Sequence, residues 1–191
     1  MGNRGCLHDD ERRIVRDHKP SYRTWILCLL EFNGRKRTVM APKLYTELFF
    51  LDEATGLAAG HRPCGECQRA RYRAFVDAWT RGNPGLVRGA APRAAEIDAV
   101  LQSERLDERK LKRVHEAELA GLPDGALVAL APEDRAFLVR GHSLYPWSFE
   151  GYGSSVPKPA RGLAHLLTPP SIVNALAAGY VAAVHASVST A

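Results

Sequence analysis

The sequence has little that would place the chain in a membrane, in a secreted protein or among the common nucleotide-binding enzymes. No uninterrupted apolar run reaches the roughly 18–20 residues that a membrane-spanning helix needs. Residues 1–16 are polar and lack the apolar centre of a signal peptide. Glycine-rich phosphate loops and the His-Glu-x-x-His and Gly-x-Ser-x-Gly motifs are also absent. These absences favour a cytoplasmic protein with no membrane partner.

Cysteine is scarce, with four residues in a chain of 191. In a chain without an export signal, cysteines are more often free thiols than disulfides. Four thiols also match the number of ligands that one structural zinc ion takes. The alternative for any single cysteine is that it is buried and inert.

The positive charge is concentrated in the first part of the chain. Residues 1–83 carry 15 Lys or Arg against ten Asp or Glu, whereas residues 84–191 are balanced at eleven of each. The whole net charge of +5 therefore lies in the first 83 residues. A basic surface of this kind is typical of nucleic-acid binding, although a solvated surface would account for it equally well.

Residues 48–67 contain the most informative motif. An aromatic segment with Phe49 and Phe50 precedes a short helix stopped by Gly60, and a Cys-x-x-Cys turn at Cys64 and Cys67 follows. Two thiols at this spacing predict half of a tetrahedral zinc site. A redox Cys-x-x-Cys would need a thioredoxin-like βαβ context, and the surrounding pattern does not provide one.

The segment 45–73 resembles the second half of the zinc-binding domain of the Ada DNA-repair protein. The shared features are the aromatic strand, the short acid-capped helix, the Arg-Pro-Cys-x-x-Cys turn at 62–67 and a basic helix after it. The resemblance implies that Cys64 and Cys67 bind zinc and that the surrounding domain contacts the DNA backbone. That family supplies its other two thiols as an upstream Cys-x-x-x-Cys pair, which this sequence lacks.

The other two ligands must therefore come from elsewhere in the chain. Cys28 lies on a predicted strand before the aromatic strand, and Cys6 can approach it if the N-terminal segment folds back. We predict a site of four thiolates made by Cys6, Cys28, Cys64 and Cys67. The alternative replaces Cys6 with His8, and Cys28 could instead be a packed core residue.

The remaining patterns predict an α+β protein. It comprises an N-terminal zinc-stabilised β-hairpin and helix unit, a helical middle and a small C-terminal α/β segment, with a division into 1–83 and 84–191. The hairpin is predicted over 21–40 because of its Asn-Gly turn. The helices are predicted at 52–60, 64–79, 93–104, 107–119 and 172–178. Further strands are predicted at 45–51, 126–131, 135–140 and 180–187.

These features favour a zinc-dependent nucleic-acid-binding protein, with DNA as the partner, in a repair or regulatory role. The predicted phosphate contacts are Arg35, Lys36, Arg37, Arg62, Arg69 and Arg73. One alternative is an enzyme that acts on a nucleobase or DNA lesion, with a binding pocket formed by the aromatic 141–153 loop. A second alternative is a structural zinc protein that binds another protein.

Overall fold

The α+β class is confirmed by a computed structural model that describes residues 1–15, 22–35, 38–86, 92–131 and 135–188. Within these residues the chain forms four α-helices and two separate β-sheets. Among the same residues, no helix is both long and apolar enough to cross a membrane.

The first sheet is small and joins three distant parts of the chain. Strand β1 (Gly2–Asn3) pairs antiparallel with β2 (Ile26–Leu27), and β2 pairs parallel with β3 (Arg62–Pro63). The hairpin predicted over 21–40 is therefore wrong for the described residues. Both strand partners of β2 are remote in sequence, and they replace the local return strand that the Asn-Gly turn suggested.

Four helices follow in chain order: α1 (Glu53–Ala58), α2 (Arg69–Gly82), α3 (Ala94–Arg105) and α4 (Pro170–Ala177). The predicted cap of α1 is confirmed, since the Asp52 side chain accepts a hydrogen bond from the Thr55 N–H at 2.8 Å. After α1, Gly60 has φ +83° and its N–H bonds to Leu57 O at 2.8 Å. This left-handed conformation reverses the chain into β3.

The second sheet has six strands in the order β4-β9-β5-β6-β7-β8, and each neighbouring pair is antiparallel. Its strands are β4 (His115–Glu118), β5 (Leu127–Leu130), β6 (Arg135–Arg140), β7 (Ser143–Pro146), β8 (Val156–Pro157) and β9 (Leu163–Leu166). The strands predicted at 126–131 and 135–140 are confirmed by β5 and β6. The helix predicted over 107–119 is wrong, because its second half is β4, which pairs with β9.

One hydrophobic core connects the helices to the second sheet. It contains Leu57 of α1, Trp79 of α2, Leu101 of α3, Leu138 of β6 and Ile172 of α4, all fully buried. The apolar face predicted for the second helix points into this core, as the buried Phe75 and Trp79 show. The core therefore includes residues on both sides of position 83.

The C-terminal segment 180–187 is hydrogen-bonded to side chains at the start of α1. The His185 N–H donates to Asp52 at 3.0 Å, and the Tyr180 hydroxyl donates to Glu53 at 2.5 Å. The strand predicted at 180–187 is wrong for its described residues, which form no strand pairing. Carboxylates at the N-terminus of α1 hold this segment in place of a sheet partner.

Candidate metal centre

The first sheet brings the two predicted halves of the thiol site together. In the parallel pair, Leu27 lies opposite Pro63, so that Cys28 follows one strand and Cys64 follows the other. The Cys64 N–H donates to Leu27 O at 2.9 Å, which extends the pairing to the cysteine itself. The Gln68 side chain also donates to Leu27 O, at 2.8 Å. The strand of Cys28 and the Cys-x-x-Cys turn are thus fixed against each other.

Three of the four predicted thiols form a cluster that could hold a metal ion. The sulfur atoms of Cys28, Cys64 and Cys67 all lie within 4.8 Å of one another. Zinc bound at about 2.3 Å from each sulfur in a tetrahedron would place the sulfurs about 3.8 Å apart. The observed limit of 4.8 Å accommodates this separation, and three soft sulfur donors fit zinc chemically.

Backbone N–H groups point at two of the sulfurs. The Leu29 N–H donates to Cys67 Sγ at 3.3 Å, and the Glu66 N–H donates to Cys64 Sγ at 3.4 Å. Cys64 is buried, whereas Cys28 and Cys67 are partly exposed. Donors of this kind stabilise a thiolate over a thiol, so the turn is organised to hold negative charge.

Burial and mutual repulsion oppose the ionisation of all three thiols together. Burial, together with the neighbouring Cys64 and Cys67, raises the pKa of the Cys28 thiol, and burial also raises that of Cys67. Burial acts in the same direction on Cys64, but the backbone N–H donors of Cys67 and Glu66 outweigh it and lower the pKa of this thiol. The cluster by itself thus favours a single thiolate, and a bound divalent cation would offset the repulsion among three.

Cys6 does not join the cluster, which corrects the predicted ligand set. Its sulfur donates to His8 O at 3.4 Å, and the residue lines a separate cavity of about 540 Å³. The alternative ligand His8 is also engaged elsewhere, since its Nδ1 lies 2.6 Å from Thr46 Oγ1 and its Nε2 lies 3.3 Å from Ala41 O. The N-terminal segment folds back through β1, but it brings neither side chain to the other three thiols.

The predicted phosphate contacts divide into exposed and buried residues. Arg69 and Arg73 are exposed on α2, and the exposed Arg35 bonds to Glu66 at 2.6 Å. The phosphate contact predicted for Arg62 is wrong, because its side chain is buried in an ion pair with Asp98 and is not available to a phosphate. The other two predicted contacts, Lys36 and Arg37, lie outside the described residues.

The aromatic segment 141–153, predicted as a loop, includes strand β7 and contributes mainly to packing. Tyr145 and Tyr152 are buried members of the hydrophobic core, and the Tyr152 hydroxyl donates to Asp52 at 2.9 Å. Trp147 packs edge-on against the exposed Phe149, with 4.8 Å between the ring centroids. A cavity of about 380 Å³ lies beside the two tyrosines, so a binding pocket at this loop stays a prediction.

The sequence did not indicate two residues that shape the site. Gln68 joins the turn to β2 by its bond to Leu27 O, and Asp98 anchors Arg62 from α3. The position of Gln68 directly after the second cysteine was the one local signal for the first contact. Asp98 is 36 residues from Arg62, and no spacing rule connects them.

Comparison with known proteins identified no family for the chain. No protein-family model matched the chain, and no curated protein or solved structure gave a significant match.

Proposed function

We propose that the cluster of Cys28, Cys64 and Cys67 binds one zinc ion per chain. Thiolate sulfur is the donor that zinc prefers in structural sites, and the Cys-x-x-Cys turn is a common source of two such ligands. When bound, zinc would supply the positive charge that three neighbouring thiolates need. The ion would fasten the Cys-x-x-Cys turn to the strand that ends at Cys28, and so complete the three-stranded sheet.

We further propose that this zinc-stabilised unit binds nucleic acid, with DNA as the partner, through its phosphate backbone. The observation that carries the proposal is the placement of Arg69 and Arg73, which lie four residues apart on the helix that starts directly after the thiol turn. Residues at this spacing share one helix face. Arg35 is held beside the same turn through its ion pair with Glu66.

The resemblance of segment 45–73 to the zinc-binding domain of the Ada protein supports the same function. That resemblance concerns the turn, the short capped helix and the basic helix, and these are the elements that position the three sulfurs and the exposed arginines. By analogy with that protein, we propose a role in DNA repair or regulation. We also propose a cytoplasmic location, because free thiols persist in a reducing compartment.

Binding of the zinc-loaded protein to fluorescent DNA, measured across a range of salt concentrations, tests the proposal. Each neutralised phosphate of B-DNA contributes about −0.9 to the slope of log affinity against log salt. Contacts from Arg69 and Arg73 therefore predict a slope of about −2 for duplex DNA, because the charge of Arg35 is already offset by Glu66. Undetectable binding to both duplex and single-stranded DNA at low salt would reject a nucleic-acid partner.

A protein partner is the main competing explanation for the exposed basic face. Charge reversal separates the two, because Arg69→Glu with Arg73→Glu would repel a phosphate backbone. We expect this double variant to bind zinc as the wild type does and to lose DNA binding. Retention of DNA affinity would show that this helix face does not contact DNA.

A further inference from the structure

The three thiols lie at the boundary between the protein interior and solvent. Cys64 is buried, while Cys28 and Cys67 keep part of their surface exposed. Of the histidine, cysteine and carboxylate side chains in the described parts of the chain, only these three form a group with metal-ligand spacing. The cluster therefore offers three sulfur donors, two of them on residues that are partly exposed.

We propose that the metal centre keeps its fourth coordination position for a donor from outside the chain. This inference rests on the zinc binding proposed above and concerns the ligand that the centre accepts. Zinc sites with three protein ligands and an open position are the ones at which zinc interacts with exogenous molecules, whereas sites with four protein ligands are closed. The partial exposure of Cys28 and Cys67 gives such a donor a route from solvent.

The charge of the site favours a neutral donor over an oxyanion such as phosphate. Three thiolates and one divalent ion leave a net charge of about −1. Nearby, the Glu66 carboxylate is balanced by its ion pair with Arg35, so this pair supplies no surplus positive charge. A second anion such as phosphate would add negative charge to an already negative centre, and this is unfavourable. A neutral heteroaromatic nitrogen, which zinc binds readily, adds none.

Two sources could present such a nitrogen: the imidazole of a histidine and the ring nitrogen of a purine base. Arg69 and Arg73 belong to the helix that starts directly after the thiol turn, and Arg35 is paired with Glu66 of that turn. If these arginines hold a nucleic acid, its bases could come within reach of the metal. Both sources present a neutral ring nitrogen to the metal, and the experiment below separates them.

Cobalt(II) substitution provides the test, because the visible absorption bands of cobalt report on its ligands. The cobalt-loaded full-length protein is titrated with imidazole, with guanosine and, as the anionic control, with inorganic phosphate. We expect a saturable shift of the bands with imidazole and none with phosphate. A shift with guanosine as well would point to a purine source, and its absence would point to a histidine source.

An unchanged spectrum at saturating imidazole would overturn the proposal, since it would mean that the chain itself supplies the fourth donor. His18, which lies outside the described residues, and the Met1 amine are the groups to examine in that case. A band change caused by His18→Ala alone would overturn it for the same reason. A shift with phosphate but not imidazole would reject the charge argument.

The result is independent of DNA binding. DNA binding is measured on the same cobalt-loaded sample. It can be absent while imidazole shifts the bands, and it can be present while imidazole does not. Cys6→Ser is the matched control, because it removes a thiol that lies outside the cluster. We expect its cobalt spectrum and its imidazole response to equal those of the wild type.

Discussion

Arg62 and Asp98 form a bidentate ion pair that is almost completely buried. Arg62 Nε lies 2.8 Å from Asp98 Oδ1, and Nη2 lies 2.8 Å from Oδ2. The Thr24 hydroxyl also donates to Oδ2, at 2.9 Å. Because Arg62 stands two residues before Cys64, the pair connects the thiol turn to α3. The arginine of the motif therefore stabilises the turn, and Arg69 and Arg73 are the ones exposed to a partner.

Asp98→Asn should destabilise the protein strongly. The substitution leaves the Arg62 guanidinium buried without its countercharge, and breaking a buried ion pair in this way costs about 3–5 kcal/mol. Urea unfolding of the zinc-loaded protein measures the loss. Asp9→Asn is the matched control, because Asp9 pairs with an exposed Arg13 and such pairs contribute about 1 kcal/mol or less. Similar losses for both variants would contradict a structural role for the buried pair.

Cys28→Ser should abolish stoichiometric zinc binding, whereas Cys6→Ser should leave it unchanged. Cys28 is one of the three clustered sulfurs, and Cys6 bonds to His8 O instead. Metal analysis of each purified variant after dialysis measures the zinc content directly. We expect one zinc per chain in the wild type and in Cys6→Ser. Loss of zinc from Cys6→Ser would restore the site of four thiolates predicted from the sequence.

Removal of zinc should also destabilise the first sheet. Binding energy at a structural zinc site is largely folding energy, because the unfolded chain does not hold the ligands together. We expect a chelator to lower the melting temperature of the wild type and of Cys6→Ser by a similar amount. Cys28→Ser should already melt at the lower temperature and respond little to the chelator.

The features that the sequence predicted well are local. The cap at Asp52, the turn at Gly60 and the helix after Cys67 each depend on residues a few positions apart, where side-chain and backbone chemistry decide the conformation. The apolar face with Phe75 and Trp79 follows from helical spacing alone. The pair of thiols at Cys64 and Cys67 belongs to the same category.

The features that the sequence predicted poorly depend on remote partners. The Asn33-Gly34 turn favours a hairpin, but β2 pairs with strands at 2–3 and 62–63 instead. The mixed charges of 107–119 suit a helix, yet residues 115–118 pair with β9. Choosing Cys28 over Cys6 as a ligand requires the parallel pairing of β2 with β3, which no local pattern reveals. Tertiary contacts outweighed local preference in each case.

Replacing Arg69 and Arg73 with alanine should weaken DNA binding and its salt dependence together. Loss of two phosphate contacts should reduce the slope of log affinity against log salt by about 2. Affinity at moderate salt should fall on the order of tenfold or more. Fluorescence anisotropy with duplex DNA at several salt concentrations measures both quantities.

Arg81→Ala is the control for this pair, because it removes one positive charge from the far end of the same helix. The rise of 1.5 Å per residue places Arg81 about 18 Å from Arg69 along the axis. We expect its salt slope to equal that of the wild type. An equal loss in Arg81→Ala would indicate a response to overall charge and would reject a specific contact face.

His61 is a buried neutral side chain at the centre of the N-terminal unit. It is 1% exposed and packs against Trp25 and Phe50, with ring centroids 5.3 and 4.9 Å away. Burial, reinforced by the positive charges of Arg4 and Arg105, lowers the pKa of His61 to about 3. The imidazole therefore stays unprotonated in the folded protein at pH values where it would take a proton in the unfolded chain.

The protein should consequently lose stability as the pH falls below about 6.5. Between the unfolded pKa of about 6.5 and the folded pKa of about 3, the unfolded state binds one proton more, so the free energy of unfolding decreases with decreasing pH. Each pH unit corresponds to about 1.4 kcal/mol, which predicts a loss of about 2 kcal/mol between pH 6.5 and 5. His61→Phe keeps an aromatic ring between Trp25 and Phe50 and removes the titration. Both proteins share every other titrating group, so the unfolding free energy of the wild type minus that of His61→Phe should fall by this amount over the same interval. A constant difference would show that His61 does not cause the pH dependence.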